Sequence, residues 1–222
     1  MQKLKGLVMK QQNKIACDIL NEIFNVSIGK AADMLSQILH KTIRLRVPNV
    51  ILLSGKERLS RKNKDSSLKL PDGTLMVSTI SFSDALEGKA NLVFPADKMH
   101  DFIYLCTGEQ PVSFPNQSDF TDIDFDIINE IGNIVLNSII GEMGNSLGIT
   151  LSYSLPEVQI YNQSIDFSHD IESEECKSVL MLSVSFTIEQ TEIKGTIFID
   201  LTSASSEELF HLLSRIEGEF FG

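Results

Sequence analysis

The sequence predicts an α+β fold made of a duplicated unit, with two long helices packed on a mainly antiparallel sheet of about six strands. Three observations lead there. First, Asp18-Ile19-Leu20-Asn21-Glu22-Ile23-Phe24-Asn25 returns as Asp126-Ile127-Ile128-Asn129-Glu130-Ile131-Gly132-Asn133, six of eight positions identical at an offset of 108. Second, the same offset carries Leu39 to Leu147, Thr42 to Thr150, Pro48 to Pro156 and Val50 to Val158, so the register holds without a gap. Third, LMVSTISF (75–82) resembles LMLSVSF (180–186), and KANLVFP (89–95) resembles KGTIFID (194–200), at slightly shorter offsets. Each half reads helix, strand, strand, strand, helix. The expected organisation is one domain over 1–222, with repeats at about 12–108 and 120–217 and a junction at about 109–119.

The elements follow from periodicity. Ile15, Ile19, Ile23, Leu35 and Leu39 recur at helical spacing with no proline between Lys14 and Lys41, giving one long helix. Residues 42–53 alternate up to Val47, and Pro48 then interrupts the ladder, as at an edge strand or bulge. The segments 75–82 and 89–95 read as a hairpin turning at 84–88, and 96–107 as a short helix. EQPVSFPNQSDF (109–120), with two prolines and no helical period, is the junction. The second long helix runs from about Asp122 to Leu147, opened by Asp119, Asp122 and Asp124 at the positive end of its dipole and closed by Gly148. Strands at 149–161, 178–188 and 193–201 and a helix at 203–217 complete the plan, with an acidic loop at 164–177. Phe94, Phe102, Phe186, Phe198 and Phe210 fall where core residues are wanted, and Met9, Met34 and Met76 read as packing.

Composition narrows the class. The chain has 222 residues, 42% apolar and 22% charged, enough for a packed core and too apolar for disorder. Its net charge of −11 argues against a nucleic-acid or anionic-membrane binder, because phosphate contacts need cationic surface. Charge is divided unevenly: residues 1–110 carry 16 Lys+Arg against 11 Asp+Glu, and residues 111–222 carry 3 against 19. Three widely spaced cysteines (Cys17, Cys106, Cys176) fit neither a disulfide framework nor a CxxC metal site. The four histidines lack ligand spacing, so no metal site is expected. The only apolar patch near the N-terminus, Leu7 to Met9, is too short for a signal-peptide core, and no stretch approaches a membrane span. A cytoplasmic location without membrane insertion is the expectation. Lys56, Arg58, Arg61, Lys62, Lys64 and Lys69 form a basic run that reads as a solvated loop.

The chemistry lies in the repeated motif. Asp18, Glu22, Asn25 and Asp126, Glu130, Asn133 stand at i, i+4 and i+7, which puts each trio on one helical stripe. Ile15, Ile19, Ile23 and Ile123, Ile127, Ile131 form a neighbouring stripe expected to face the sheet. A carboxylate can bond a partner's cation, and an amide one turn on, both donor and acceptor, can hold a water in fixed orientation. A single Glu and Asn on a helix are ordinarily just solvated. Asparagine is a mediocre helix former, so propensity gives no reason to use it at both sites.

The pattern Asp-x-x-x-Glu-x-x-Asn followed after 22 residues by Pro48, and again by Pro156, resembles the signature of the CheC family of chemotaxis phosphatases, the CheC/CheX/FliY group. VSIGKAADMLS (26–36) is similar to the family's small-residue run, and GKANLVFP (88–95) to one of its strands. The resemblance implies a phosphatase that hydrolyses the aspartyl phosphate of a CheY-like receiver domain. It makes Glu22 and Glu130 partners of the receiver lysine and Asn25 and Asn133 the residues that orient the attacking water. Asp18, Asp126, Pro48 and Pro156 are the supporting motif positions. No cofactor of its own is implied, since Mg²⁺ belongs to the receiver's acidic pocket. Some members bind the deamidase CheD. The FliM middle domain shares the fold without the Glu/Asn pair, and FliY-like members add a further C-terminal domain, which is not expected here because only residues 218–222 follow the second repeat. The alternatives are a non-catalytic module binding a receiver or CheD, or a flagellar-switch subunit.

Two features set the sites apart. Where the family usually has glycine before the motif asparagine, the second site has Gly132 and the first has Phe24, a ring that either meets the docking partner or turns into the core. The first site lies in the basic half, and the second among Asp122, Asp124 and Glu142. These features favour the second site as better formed and the first as better steered toward an acidic receiver pocket.

Overall fold

The computed structural model describes residues 2–47, 50–54, 73–108, 120–162, 176–188 and 190–221. Helix α1 spans Gln2–Leu39 and is followed by β1 (Ile43–Arg46), β2 (Val50–Ser54), β3 (Leu75–Asp84), β4 (Gly88–Pro95) and, after a 3-10 turn, α2 (Met99–Thr107). The second half has α3 (Asp122–Leu147), β5 (Leu151–Tyr153), β6 (Glu157–Tyr161), β7 (Cys176–Ile188), β8 (Thr191–Thr202) and α4 (Ser203–Phe221). This is the expected α+β fold. The eight strands form one antiparallel sheet ordered β1-β7-β8-β4-β3-β5, with β2 beside β7 and β6 beside β3, so that it is six positions wide.

The strand pairing repeats as the sequence does. Val158 pairs with Ser78 and Val50 with Leu182, the same pairing displaced by 108 on one strand and 104 on the other. Asp84↔Leu151 recurs in the same way as Ile188↔Ile43. Each half thus lends its leading strands to the hairpin of the other. Between the hairpins, β4 and β8 run antiparallel with Leu92 opposite Ile197, two residues that occupy equivalent places in their repeats. A pseudo-twofold axis therefore passes through that pair, normal to the sheet.

Three segments differ from the sequence reading. Helix α1 begins twelve residues before Lys14, because Lys, Gln and Leu sustain a helix where the apolar period has not started. Residues 149–161 form two strands, broken at Pro156, which has no N–H for the ladder. The break stays tied to β3, with the Ser154 amide donating to the Ser81 carbonyl at 2.9 Å. Helix α4 continues past the expected 217 to Phe221. Pro48, the junction 109–119, the basic run 56–69 and most of the acidic loop 164–177 lie outside the described residues.

All four helices contribute to one core on one face of the sheet, where Leu20, Phe24, Ile28, Ile128, Leu136, Phe102 and Leu212 meet Ile80, Leu92, Phe186 and Ile197. On the opposite face Leu75, Val77, Val93, Val179, Met181 and Phe198 are buried together. Phe94 and Phe102 are buried as expected, the first ring meeting Phe186 at a tilt and the second edge-on, whereas Phe210 is half-buried and Met34 is exposed. No helix of the described residues is long and apolar enough to cross a membrane.

Candidate functional site

The two long helices lie side by side across the pseudo-axis. Lys30 on α1 makes an ion pair with Glu142 on α3. The equivalent positions are Ser138 and Met34, so the helices run antiparallel and pass closest near Ala32 and Ile140. Glu22 and Glu130 each lie ten residues before that crossing. At 1.5 Å per residue the two motifs are ~30 Å apart, on the same outer surface.

Helix α3 begins where the sequence places it. The Thr121 hydroxyl accepts from the Asp124 amide at 3.2 Å, and the Asp124 carboxylate accepts from the Thr121 amide at 2.7 Å. This reciprocal cap satisfies amides that would otherwise be orphaned. It also occupies Asp124, which is therefore a structural carboxylate. Gly148 closes α3 in the left-handed conformation at φ 68°, and His40, its counterpart 108 positions earlier, closes α1 at φ 51°. Thr121→Ala is expected to lower stability by about 1 kcal/mol, read as a shifted urea midpoint with an unchanged slope.

Asp18, Glu22 and Asn25 are exposed on α1, and Asp126 and Glu130 are exposed on α3. Asn133 is half-buried, and its Oδ1 accepts a hydrogen bond from Asn137 Nδ2 at 2.6 Å. Both ridges thus face outward, with the core-facing lines of each helix behind them. Pro156 is half-buried at the β5–β6 break and does not belong to the exposed ridge.

The neighbouring isoleucine stripe needs correction. Ile23 and Ile131 are buried and Ile15, Ile19 and Ile127 half-buried, but Ile123 is 66% exposed. Ile123 lies in the first turn of α3, before the helix passes over the sheet. The lines that bury run through Leu20, Phe24, Ile28 and Leu35, and through Ile128, Gly132, Leu136 and Met143.

Phe24 is fully buried, which settles its position as core. At Gly132, an added Cβ would lie 2.0 Å from the Ser78 hydroxyl oxygen on β3. The counterparts of Gly132 and Ser78 in the first repeat are Phe24 and Leu182, both buried. A small pair under α3 faces a large pair under α1. Helix α3 accordingly settles onto β3 and its neighbours, while α1 rests on β1 and β2. The consequence reaches the surface: after the motif asparagine, Val26 is 46% exposed and its counterpart Ile134 only 5%.

The electrostatic contrast between the sites is smaller than the sequence implied. Glu142 is spent on Lys30, twelve residues from Glu130, or ~18 Å along the helix. That leaves Asp122 and Asp126 as the exposed acids beside the second motif.

Sequence reasoning passed over three further amides. Asn21 and Asn129, inside the repeated octet, each hold a buried Oδ1 without a partner among the described residues. Their recurrence at the offset of 108 was the available signal. Asn137 was signalled only by its place one turn beyond Asn133.

Neither Cys17 nor Cys106 is an activated nucleophile. Burial pushes the Cys106 thiol up to about 12, against a smaller pull from Lys41, and burial also raises Cys17. Among the described residues no group of three His, Cys, Asp or Glu side chains could hold a metal ion. What the ridges offer is a carboxylate and an amide, three residues apart, on the outer surface of each helix.

Residues 15–52, which include Asp18, Glu22 and Asn25, match the model of the CheC-like family. The chain is similar in structure to FliY of Thermotoga maritima, with a TM-score of 0.64, 21% identity, and 90% of this chain and 96% of that one covered. It is also similar to a chain of the FliM–SpeE complex from H. pylori (TM-score 0.61, 13% identity, covering 93% and 96%). The FliM middle domain from H. pylori matches at a TM-score of 0.54 and 14% identity, covering 91% and 98%. Residues 15–52 are CheC-like in sequence, and the chain has the fold seen in the FliY and FliM structures. The resemblance to the CheC/CheX/FliY group thus has support in sequence over the first site and in fold across the chain.

Proposed function

We propose that the chain is a phosphatase that hydrolyses the aspartyl phosphate of a CheY-like receiver domain. The observation that carries this reading is the recurrence of an outward carboxylate and amide, Glu22/Asn25 and Glu130/Asn133, at matching places on two helices related by the pseudo-axis. Glu22 or Glu130 pairs with the receiver lysine, which fixes the docked orientation. Asn25 or Asn133 reaches toward the phosphoryl group and holds a water in line with the phosphorus. The water oxygen forms the new bond to phosphorus as the bond to the aspartyl oxygen breaks. The bonding pair leaves with the aspartate carboxylate, and the water's proton departs with inorganic phosphate. Charge neutralisation at the phosphoryl oxygens would be supplied by the Mg²⁺ held in the receiver's own acidic pocket, not by this chain. Such a transfer needs positioning and electrostatics more than covalent chemistry, consistent with a site that has no activated nucleophile.

The likeness to the FliM middle domain favours a second reading: a switch-type subunit, or a module that binds a receiver or CheD without hydrolysing anything. Turnover separates the two. With the protein at one-fiftieth the concentration of phosphorylated receiver, the phosphatase reading expects inorganic phosphate to appear well beyond one equivalent of the protein. Binding with an unchanged phosphate lifetime would establish the second reading instead.

A further inference from the structure

We infer that Asn137 is a positioning residue for the second site, and that the two motifs differ because the first lacks it. The inference rests on the phosphatase reading for its catalytic consequence and on the structure alone for its geometry. Asn137 stands one turn after Asn133 on α3, and its Nδ2 donates to Asn133 Oδ1 at 2.6 Å. Both amides are half-buried, and Asn137 Oδ1 is itself sealed from solvent. The bond therefore sits at the shielded root of the ridge, where competition from water is weak. With its Oδ1 tied to Asn137, the Asn133 amide is held in one orientation, which fixes the direction in which its Nδ2 can donate. A freely rotating amide would have to be ordered each time a receiver docks.

The first site is a natural comparison. The position equivalent to Asn137 is Gly29, which has no side chain to offer, and Asn25 is exposed with no hydrogen bond from any described residue. A Cβ at Gly29 would meet nothing within 4 Å, so the missing amide can be grafted without a clash. The depth of α3 contributes as well. The Gly132–Ser78 contact lowers this stretch of the helix onto the sheet, shielding Asn133 and Asn137, whereas Phe24 keeps Asn25 high in solvent.

The test isolates each site and then moves the amide. In an Asn25→Ala chain, which leaves only the second site, Asn137→Ala is expected to lower kcat for receiver dephosphorylation about 3- to 10-fold, the scale of re-ordering one side chain. KM for the receiver and the melting temperature should be unchanged. In an Asn133→Ala chain, Gly29→Asn should raise kcat at the first site by a similar factor. Unchanged kcat in both directions would overturn the inference, as would a fall in Asn137→Ala carried entirely by KM. A second readout does not depend on activity: the ¹⁵N side-chain amide of Asn133 should be more ordered than that of Asn25, and Asn137→Ala should abolish the difference. Equal mobility of the two amides in the unmodified chain would overturn the inference even if no receiver is hydrolysed. A complete absence of hydrolysis with Asn133 ordered would instead remove the phosphatase reading and leave the positioning geometry in place.

Discussion

Replacing Asn25 and Asn133 together with alanine is expected to return a phosphorylated receiver to its intrinsic decay, a loss of about 10²–10³-fold, the scale of one preorganised hydrogen-bonding group. Asn25 is exposed, so its truncation should leave stability unchanged, whereas Asn133 is half-buried and its truncation removes the acceptor of the Asn137 amide, so a small stability loss is expected at the second site. The motifs are ~30 Å apart along antiparallel helices, too far for one amide to replace the other at a docked phosphate. Each single variant should therefore keep the activity of the remaining site. Asn133→Ala should be the costlier of the two in kcat, because Asn133 is the amide held from behind. Phosphate release with circular dichroism as the folding control checks all three chains. Full activity in the double variant would exclude the proposed chemistry.

Phe24→Ala should be the most destabilising change on either long helix, costing about 3–5 kcal/mol, because a fully buried phenyl leaves a void its neighbours can only partly fill. The matching position responds in the opposite sense to size. Gly132→Ala introduces a methyl group 2.0 Å from the Ser78 oxygen and 2.7 Å from its Cβ, so the helix or the strand must yield. Overpacking of this kind costs about 1–3 kcal/mol, set against ~1 kcal/mol of helix propensity gained by removing glycine. Ser78→Gly in the same chain should recover part of the loss. A double-mutant cycle in urea measures that coupling, and strict additivity would show that Gly132 and Ser78 do not determine how closely α3 lies to the sheet.

Much of this architecture was legible in the sequence because the duplication supplied an internal comparison. The offset of 108 located both long helices, and Gly148 marked the end of α3 at the residue where the backbone turns left-handed. The hairpin strands followed from alternation. The exchange of leading strands between halves was not legible, since periodicity says which residues form strands but not which strands pair. The place of Phe24 was open for a related reason: an aromatic on an amphipathic helix fits the core or an interface, and only its complete burial in the folded chain resolves it. Glu142 looked like part of the second site's field until the helix crossing brought it to Lys30. Asn137 went unnoticed because its meaning lies in a contact with one neighbour, and its counterpart is glycine.

The most direct measurement is to titrate ¹⁵N-labelled protein with a receiver held in its phosphorylated conformation by beryllofluoride and Mg²⁺, and to map the perturbed resonances. The account predicts perturbations centred on Glu22 and Asn25 and on Glu130 and Asn133, with the receiver lysine responding in the reciprocal experiment. Perturbations confined to the sheet edges, or equal binding of the unactivated receiver, would contradict it.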